Sequence, residues 1–140
     1  TGVEEKNLKD YIRKNNLSNC VKIKNFLDNP YPYILKSDLF VLSSKYEGLP
    51  NVLLEAAVLK KFIISTNCPT GPKEILLNGK GGFLFKIGDY KKLSQLILLF
   101  FRNKNQLERK INFTYNSLKR YNLKKNLMKY YSLLLPFLRT

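Results

Sequence analysis

The stretch LFVLSSKYEGLPNVLLEAAVLKKFIISTN, residues 39–67, passes from a short apolar run through a polar loop and a helix-forming segment into a second apolar run. Leu39-Phe40-Val41-Leu42 is continuously apolar and bounded by polar residues, which reads as a strand buried on both faces. Ser43 to Pro50 is a loop by composition, and Asn51 to Leu59 carries the good helix formers Leu53, Leu54, Glu55, Ala56 and Ala57. Phe62-Ile63-Ile64-Ser65 then reads as a second buried strand. Short strands alternating with helices imply a parallel sheet, because a helical crossover returns the chain to the same end of the sheet.

Working outward, Asn67 to Pro72 is a loop whose final proline suits the first turn of a helix through Leu77. Asn78-Gly79-Lys80-Gly81-Gly82 ends that helix as a turn, and Phe83-Leu84-Phe85 is a last strand. Upstream, Leu8, Tyr11 and Ile12 fall at helical spacing, predicting an amphipathic helix from about Glu4 to Lys14. Val21 and Ile23 alternate with Lys22 and Lys24 as a strand ending near Phe26, and Asp28 to Pro32 is a turn leading into a short helix. The expectation is about four short parallel strands, near Val21, Phe40, Ile63 and Phe83. From Asp89 onward the pattern is helical only, marked by Leu93, Leu96, Ile97 and Phe100, then Leu107 and Ile111, then Leu123, Leu127, Tyr130 and Leu134, with Asn122 placed to cap the last helix. The fold class is α/β, Rossmann-like, with a helical C-terminal tail.

Composition bounds the chemistry. The 140 residues are 44% hydrophobic and 13% aromatic, which excludes a wholly disordered chain and is enough for one domain. No apolar run approaches the roughly 18 residues of a membrane span, and Thr1 to Asp10 lack the order of a secretory signal, so a soluble chain is expected. Cys20 and Cys68 lie far apart and His is absent, which argues against a disulfide scaffold, an ordinary zinc site and His-dependent nucleophilic catalysis, and favours a reducing cytoplasm. A net charge of +15 calls for an anionic partner: nucleic acid, an anionic membrane surface or a phosphorylated ligand. From Tyr90 to Thr140 twelve Lys and Arg face Glu108 alone, although Lys and Asn abundance also follows from an AT-rich genome. Tyr115, Tyr121, Tyr130 and Tyr131 interleave with these cations as base-stacking platforms require, but they fall at helical core spacing and no nucleic-acid module accompanies them.

The informative constellation is a buried strand, the loop with Glu47-Gly48, a helix beginning near Pro50, and Glu55 eight positions after Glu47. In an open parallel sheet the ligand crevice lies at the carboxyl ends of the strands, where Glu47 stands. Gly48 allows close approach of a ligand to the backbone, and the helix start offers free amides and a positive dipole end to phosphate. A carboxylate at Glu55 suits a ribose diol, so the set fits a sugar nucleotide. Two glutamates at this spacing also belong on any exposed helix face.

Ser43 to Ala56 resembles the motif of Glu, seven residues, Glu found in retaining glycosyltransferases of the GT-B fold, family 4. Asn67-Cys68-Pro69-Thr70-Gly71-Pro72-Lys73-Glu74-Ile75-Leu76 is similar to the next loop of bacterial members that use UDP-N-acetylhexosamine donors, and Asn25 to Tyr31 to the preceding one. The resemblance runs from Gly2 to about Leu99. It implies that Glu47 lies beside the donor sugar as the catalytic residue, orienting its hydroxyls or stabilising a cationic transition state, and that Glu55 holds the ribose. It implies further that amides of Gly48, Leu49, Asn51 and Val52 meet the pyrophosphate and that Phe26 and Leu27 contact the uracil. Lys45 is a further candidate for phosphate. Asn25 replaces a usual Gly, Lys60 a Gly that closes the helix, and Phe62 a Pro.

The domain expectation is a nucleotide-sugar binding unit over residues 1–100, lacking its first strands, with residues 101–140 as C-terminal helices of the same domain. The resemblance implies that the Arg and Lys neutralising the diphosphate precede Thr1, as does the acceptor domain. The chain is therefore expected to be part of a longer polysaccharide-building transferase, inactive alone. No metal and no cofactor are expected; the donor is a UDP-sugar and the acceptor a glycan or lipid-linked molecule. Residence is expected in the cytoplasm, peripheral at the inner membrane face. The stripe Leu123, Leu127, Met128, Tyr130, Tyr131, Leu134 and Leu135 is expected to pack outside the chain or to drive self-association.

Overall fold

The computed structural model describes residues 2–135 and divides into two compact units, Thr1–Pro32 and Tyr33–Thr140. The first unit holds helix α1 (Glu5–Lys14) and a segment without regular structure over 21–29. Ion pairs Lys9–Glu5 (2.6 Å) and Arg13–Asp10 (2.5 Å) line one face of α1 at helical spacing, and a cavity of about 210 Å³ lies among Leu8, Ile23 and Phe26. The strand expected near Val21 is not formed. The sequence of residues 21–27 alternates, but in the structure all except Leu27 are exposed and none has a ladder partner among the described residues, and a strand exists only as one of a pair.

The second unit is a three-stranded parallel sheet in the order β1 (Leu39–Leu42), β2 (Phe62–Thr66), β3 (Phe83–Phe85). Leu39 pairs with Phe62 and Leu42 with Ser65, while Ile64 pairs with Phe83 and Thr66 with Phe85. The connections carry α3 (Asn51–Val58) and the single turn α4 (Pro72–Ile75), after α2 (Tyr31–Lys36). Then follow α5 (Tyr90–Arg102), a 3-10 turn (Lys104–Leu107), α6 (Glu108–Ser117), a second 3-10 turn (Leu118–Tyr121) and α7 (Leu123–Leu134). The expected parallel α/β sheet with a helical tail is what forms, but β1 is not buried on both faces as its apolar run predicts: it lies at an edge of the sheet, with Val41 exposed and none of its four residues buried.

Every residue of β2 is buried, and its side chains divide by the period-two rule of strands. Ile63 joins Leu53, Ala56, Ala57, Ile75 and Leu76 on one face. Phe62 and Ile64 join Phe85, Leu96, Phe100 and Leu107 on the other, where Phe62 stacks on Phe100 at 5.3 Å between centroids and meets Phe83 edge-on at 4.9 Å. Gly82 is required beside this sheet, since a Cβ there would lie 2.5 Å from the Ile63 carbonyl oxygen.

Helix ends explain part of the cation surplus. Lys61 Nζ donates to the carbonyls of Leu35 (2.7 Å) and Ser37 (3.0 Å) at the end of α2. Arg120 donates to Glu74 O (2.6 Å) at the end of α4, and Lys110 to Gly79 O (2.7 Å) just beyond it. Lys61 and Arg120 thereby meet the negative ends of α2 and α4, and Arg120 adds a second donor to a Glu74 carbonyl that already accepts from Leu77 N. Asp89 and Asn122 cap α5 and α7 through Lys92 N and Lys125 N, both at 2.9 Å, the latter as the sequence anticipates.

Lys60 closes α3 with φ of 52°, while Lys61 N donates to Ala56 O (2.9 Å) in the manner of a left-handed cap. A side chain pays for that conformation and glycine does not. Lys60→Gly should therefore raise the unfolding free energy by about 1 kcal/mol, net of lost contact between its ammonium and the Tyr115 ring, and a denaturant titration reads it directly.

Candidate active site

The carboxyl ends of β1 and β2 open into two loops, 43–50 and 67–71, that are fastened to one another. Thr66 Oγ1 donates to the Ser44 carbonyl at 2.7 Å, and Cys68 Sγ donates to the same oxygen at 3.1 Å. Thr70 Oγ1 donates to the Glu47 carbonyl at 2.5 Å. Gly71 has φ of 86°, and a Cβ on it would collide with the Gly48 carbonyl and lie 2.5 Å from Pro50 Cδ. Only glycine fits both the backbone angle and the gap.

Beyond Pro50 the loop enters α3. No side chain caps this helix, and Pro50 has no N–H of its own, so the amides of Asn51 and Val52 form the helix's positive end. The structure thus gathers Lys45, Glu47, Gly48, Leu49, Asn51, Val52 and Glu55 on the connection from β1 through the first turns of α3. Lys45, Gly48, Leu49 and Asn51 are exposed, and Val52 is half-buried. Phe26, largely exposed, and Leu27, half-buried, belong to the other unit.

Glu47 and Glu55 stand apart from the chain's other carboxylates. Glu5, Asp10 and Asp38 are in ion pairs, Glu4 accepts from Asn7, and Asp89 caps α5. Asp28, Glu74 and Glu108 are exposed. Glu47 and Glu55 are both half-buried, and neither side chain is in an ion pair or hydrogen bond among the described residues. Neither carboxylate is therefore committed to a partner among the described residues. Among the described residues, no group of three His, Cys, Asp or Glu is arranged to hold a metal ion.

Gly48 differs from Gly71. A Cβ built on Gly48 meets nothing within 4 Å, so the fold does not demand glycine there and the space before it is open. Cys68 is buried, its thiol engaged with Ser44, and Gly79 has the positive φ of a turn, 86°, rather than heading a helix. Sequence reasoning missed the donors at Thr66, Cys68 and Thr70 and the backbone angle of Gly71. The visible signal was the polar stretch and Gly-Pro after the apolar part of β2, which reports a loop but not which carbonyls its side chains reach.

The profile of the glycosyl transferases group 1 family matches residues 1–120. An uncharacterised glycosyltransferase of Methanocaldococcus jannaschii is 46% identical over 69 residues, which are 49% of this chain and 17% of that protein. The N-acetylgalactosamine-N,N'-diacetylbacillosaminyl-diphospho-undecaprenol 4-alpha-N-acetylgalactosaminyltransferase of Campylobacter jejuni is 29% identical over 94 residues, 67% of this chain and 26% of that enzyme. Anabaena HepE, solved in complex with UDP, shares the fold with a TM-score of 0.84 at 20% identity, over 94% of this chain and 36% of its own. Its fold, like that of the other structural neighbours, is the GT-B arrangement. This chain thus spans only a minor part of the length of these proteins.

The contrast between the two glycines gives a test of what is scaffold and what is site. Gly71→Ala should lower the unfolding free energy by at least about 2 kcal/mol, from strain and overlap together, whereas Gly48→Ala should leave it within about 0.5 kcal/mol. Thermal melts of the two variants check both expectations.

Proposed function

The chain belongs to the glycosyl transferases group 1 family, and on that premise we propose that it is the donor-binding part of a retaining, family 4 transferase using a UDP-N-acetylhexosamine. The observation that carries the reading is the pair of half-buried, unpartnered carboxylates, Glu47 and Glu55, flanking an uncapped helix start at the carboxyl edge of the sheet. A nucleoside diphosphate sugar matches each part. The amides of Gly48, Leu49, Asn51 and Val52 meet the pyrophosphate, with Lys45 adding charge from the loop. Glu55, in the second turn of α3, accepts from the ribose hydroxyls. Glu47 sits one step earlier, beside the sugar, where a carboxylate orients hydroxyls or offsets positive charge developing at the anomeric carbon. Phe26 and Leu27 are assigned to the uracil.

The donor assignment draws on the likeness of residues 67–76 to loops of N-acetylhexosamine-using enzymes and on the Campylobacter relative, named for N-acetylgalactosaminyl transfer. That relative's name also supports a glycan or lipid-linked acceptor. With such an acceptor, the enzyme works in the cytoplasm at the inner membrane face. Amides and basic side chains carry the diphosphate charge in place of a metal. Transfer belongs to a longer protein, of which this chain is the donor half. Helix α7 supports that view, since it buries none of its residues and leaves Leu123, Leu127, Tyr130 and Tyr131 exposed.

Glu55→Ala in the full-length enzyme should weaken UDP binding by about 1–3 kcal/mol, the range of charge-assisted hydrogen bonds. Titration calorimetry with UDP measures it, and unchanged affinity removes Glu55 from the site.

A further inference from the structure

Thr66 ends β2, and Cys68 and Thr70 follow at alternate positions on the loop after it, which bends at Pro69 and Thr70. All three donate to backbone carbonyls of the loop 43–50: Thr66 and Cys68 to Ser44, Thr70 to Glu47. The first two are buried and hold the root of the loop. Thr70 is exposed, and its hydroxyl grips the peptide of the residue whose carboxylate is left open. We infer that Thr70 is a positioning residue, which fixes the main chain of Glu47 so that its carboxylate meets the donor sugar in one orientation. The inference rests on the role proposed for Glu47.

Three features favour positioning over scaffolding. Thr70 is exposed, so its hydroxyl adds no core contact. The lower part of the loop is already fixed twice at Ser44 and again by Gly71 against Gly48 and Pro50. Between those anchors, Lys45 and Tyr46 are exposed, and the Thr70 hydroxyl bonds the segment at the Glu47 carbonyl. Removing it therefore loosens the peptide that aims the carboxylate while the anchors on either side remain.

The test is turnover of a UDP-sugar by the full-length enzyme carrying Thr70→Val, Thr70→Ser or Glu47→Gln. Thr70→Val should lower kcat by about 10- to 100-fold with KM within about twofold, because a displaced catalytic group costs rate more than binding. Its melting temperature should stay at the parent value, and Thr70→Ser, which keeps the donor, should restore most of the rate. Parental turnover in Thr70→Val alongside an inactive Glu47→Gln overturns the positioning role and leaves the role of Glu47 standing. Normal turnover in Glu47→Gln overturns that role and this inference with it. A rate loss in Thr70→Val that comes with a lower melting temperature and no rescue by serine assigns Thr70 to the scaffold and also overturns the inference.

Discussion

Strand β2 has no surface left for water. It is hydrogen-bonded along both edges, to β1 and β3, and buried on both faces, so each residue from Phe62 to Thr66 must satisfy all its needs inside the protein. Apolar side chains meet that condition at Phe62, Ile63 and Ile64 by filling the two core layers. Polar ones meet it only with a partner. Ser65 Oγ donates to its neighbour's carbonyl at 3.1 Å, while Thr66 finds the Ser44 carbonyl. The change from apolar to polar along five residues is therefore also the change from core to site. The bond that satisfies Thr66 is one of those that tie the β2 loop to the β1 loop.

That constraint decides what the sequence discloses. Continuous apolar runs such as Leu39 to Leu42 and Phe62 to Ile64 read as strands when they alternate with helix-forming segments, so the parallel sheet is legible; that β1 lies at an edge with Val41 exposed, unlike β2, is not. Helix α3 is legible as well, because Leu53, Ala56 and Ala57 fall on the face that β2 requires. The segment at Val21 has the same alternation, but pairing is a property of two segments and no local pattern reports whether the second is present. The 3-10 turns at Lys104–Leu107 and Leu118–Tyr121 left no mark either, since they arise where packing tightens a helix end. At the candidate site the acidic pair and Gly48 could be read from spacing. The donors at Thr66, Cys68 and Thr70 could not, because their targets are carbonyls, and every residue has one.

Charge follows the same logic of local need. The surplus of cations suggests an external polyanion, yet Lys61, Lys110 and Arg120 are spent on carbonyls at or just beyond helix ends, and Lys9, Arg13 and Lys104 on carboxylates. Lys104 with Asp38 shows the exposed kind: the ammonium bonds the carboxylate at 2.5 Å and holds its pKa below the ordinary value, while both side chains stay in solvent. Such pairs add little stability. Lys61 and Arg120 do more, since each donates to main-chain carbonyls at the negative end of a helix. The tyrosines divide similarly. Tyr121 packs on the first core face and burial pushes its hydroxyl pKa up, whereas Tyr130 and Tyr131 lie open on α7.

In a chain with 25 cations and 10 carboxylates, a carboxylate that finds no cation is the exception to be explained. Exposure explains Asp28, Glu74 and Glu108, because water solvates them at no cost to the fold. Glu47 and Glu55 are half-buried residues whose carboxylates have no partner among the described residues. The loops around them are not loose: glycine at 71 is sterically compelled, Ser44 is bonded twice, and the Glu47 peptide is held by Thr70. A tightly fixed frame around two unpartnered acids, with an uncapped helix start between them, is the arrangement on which the proposed sugar-nucleotide site rests.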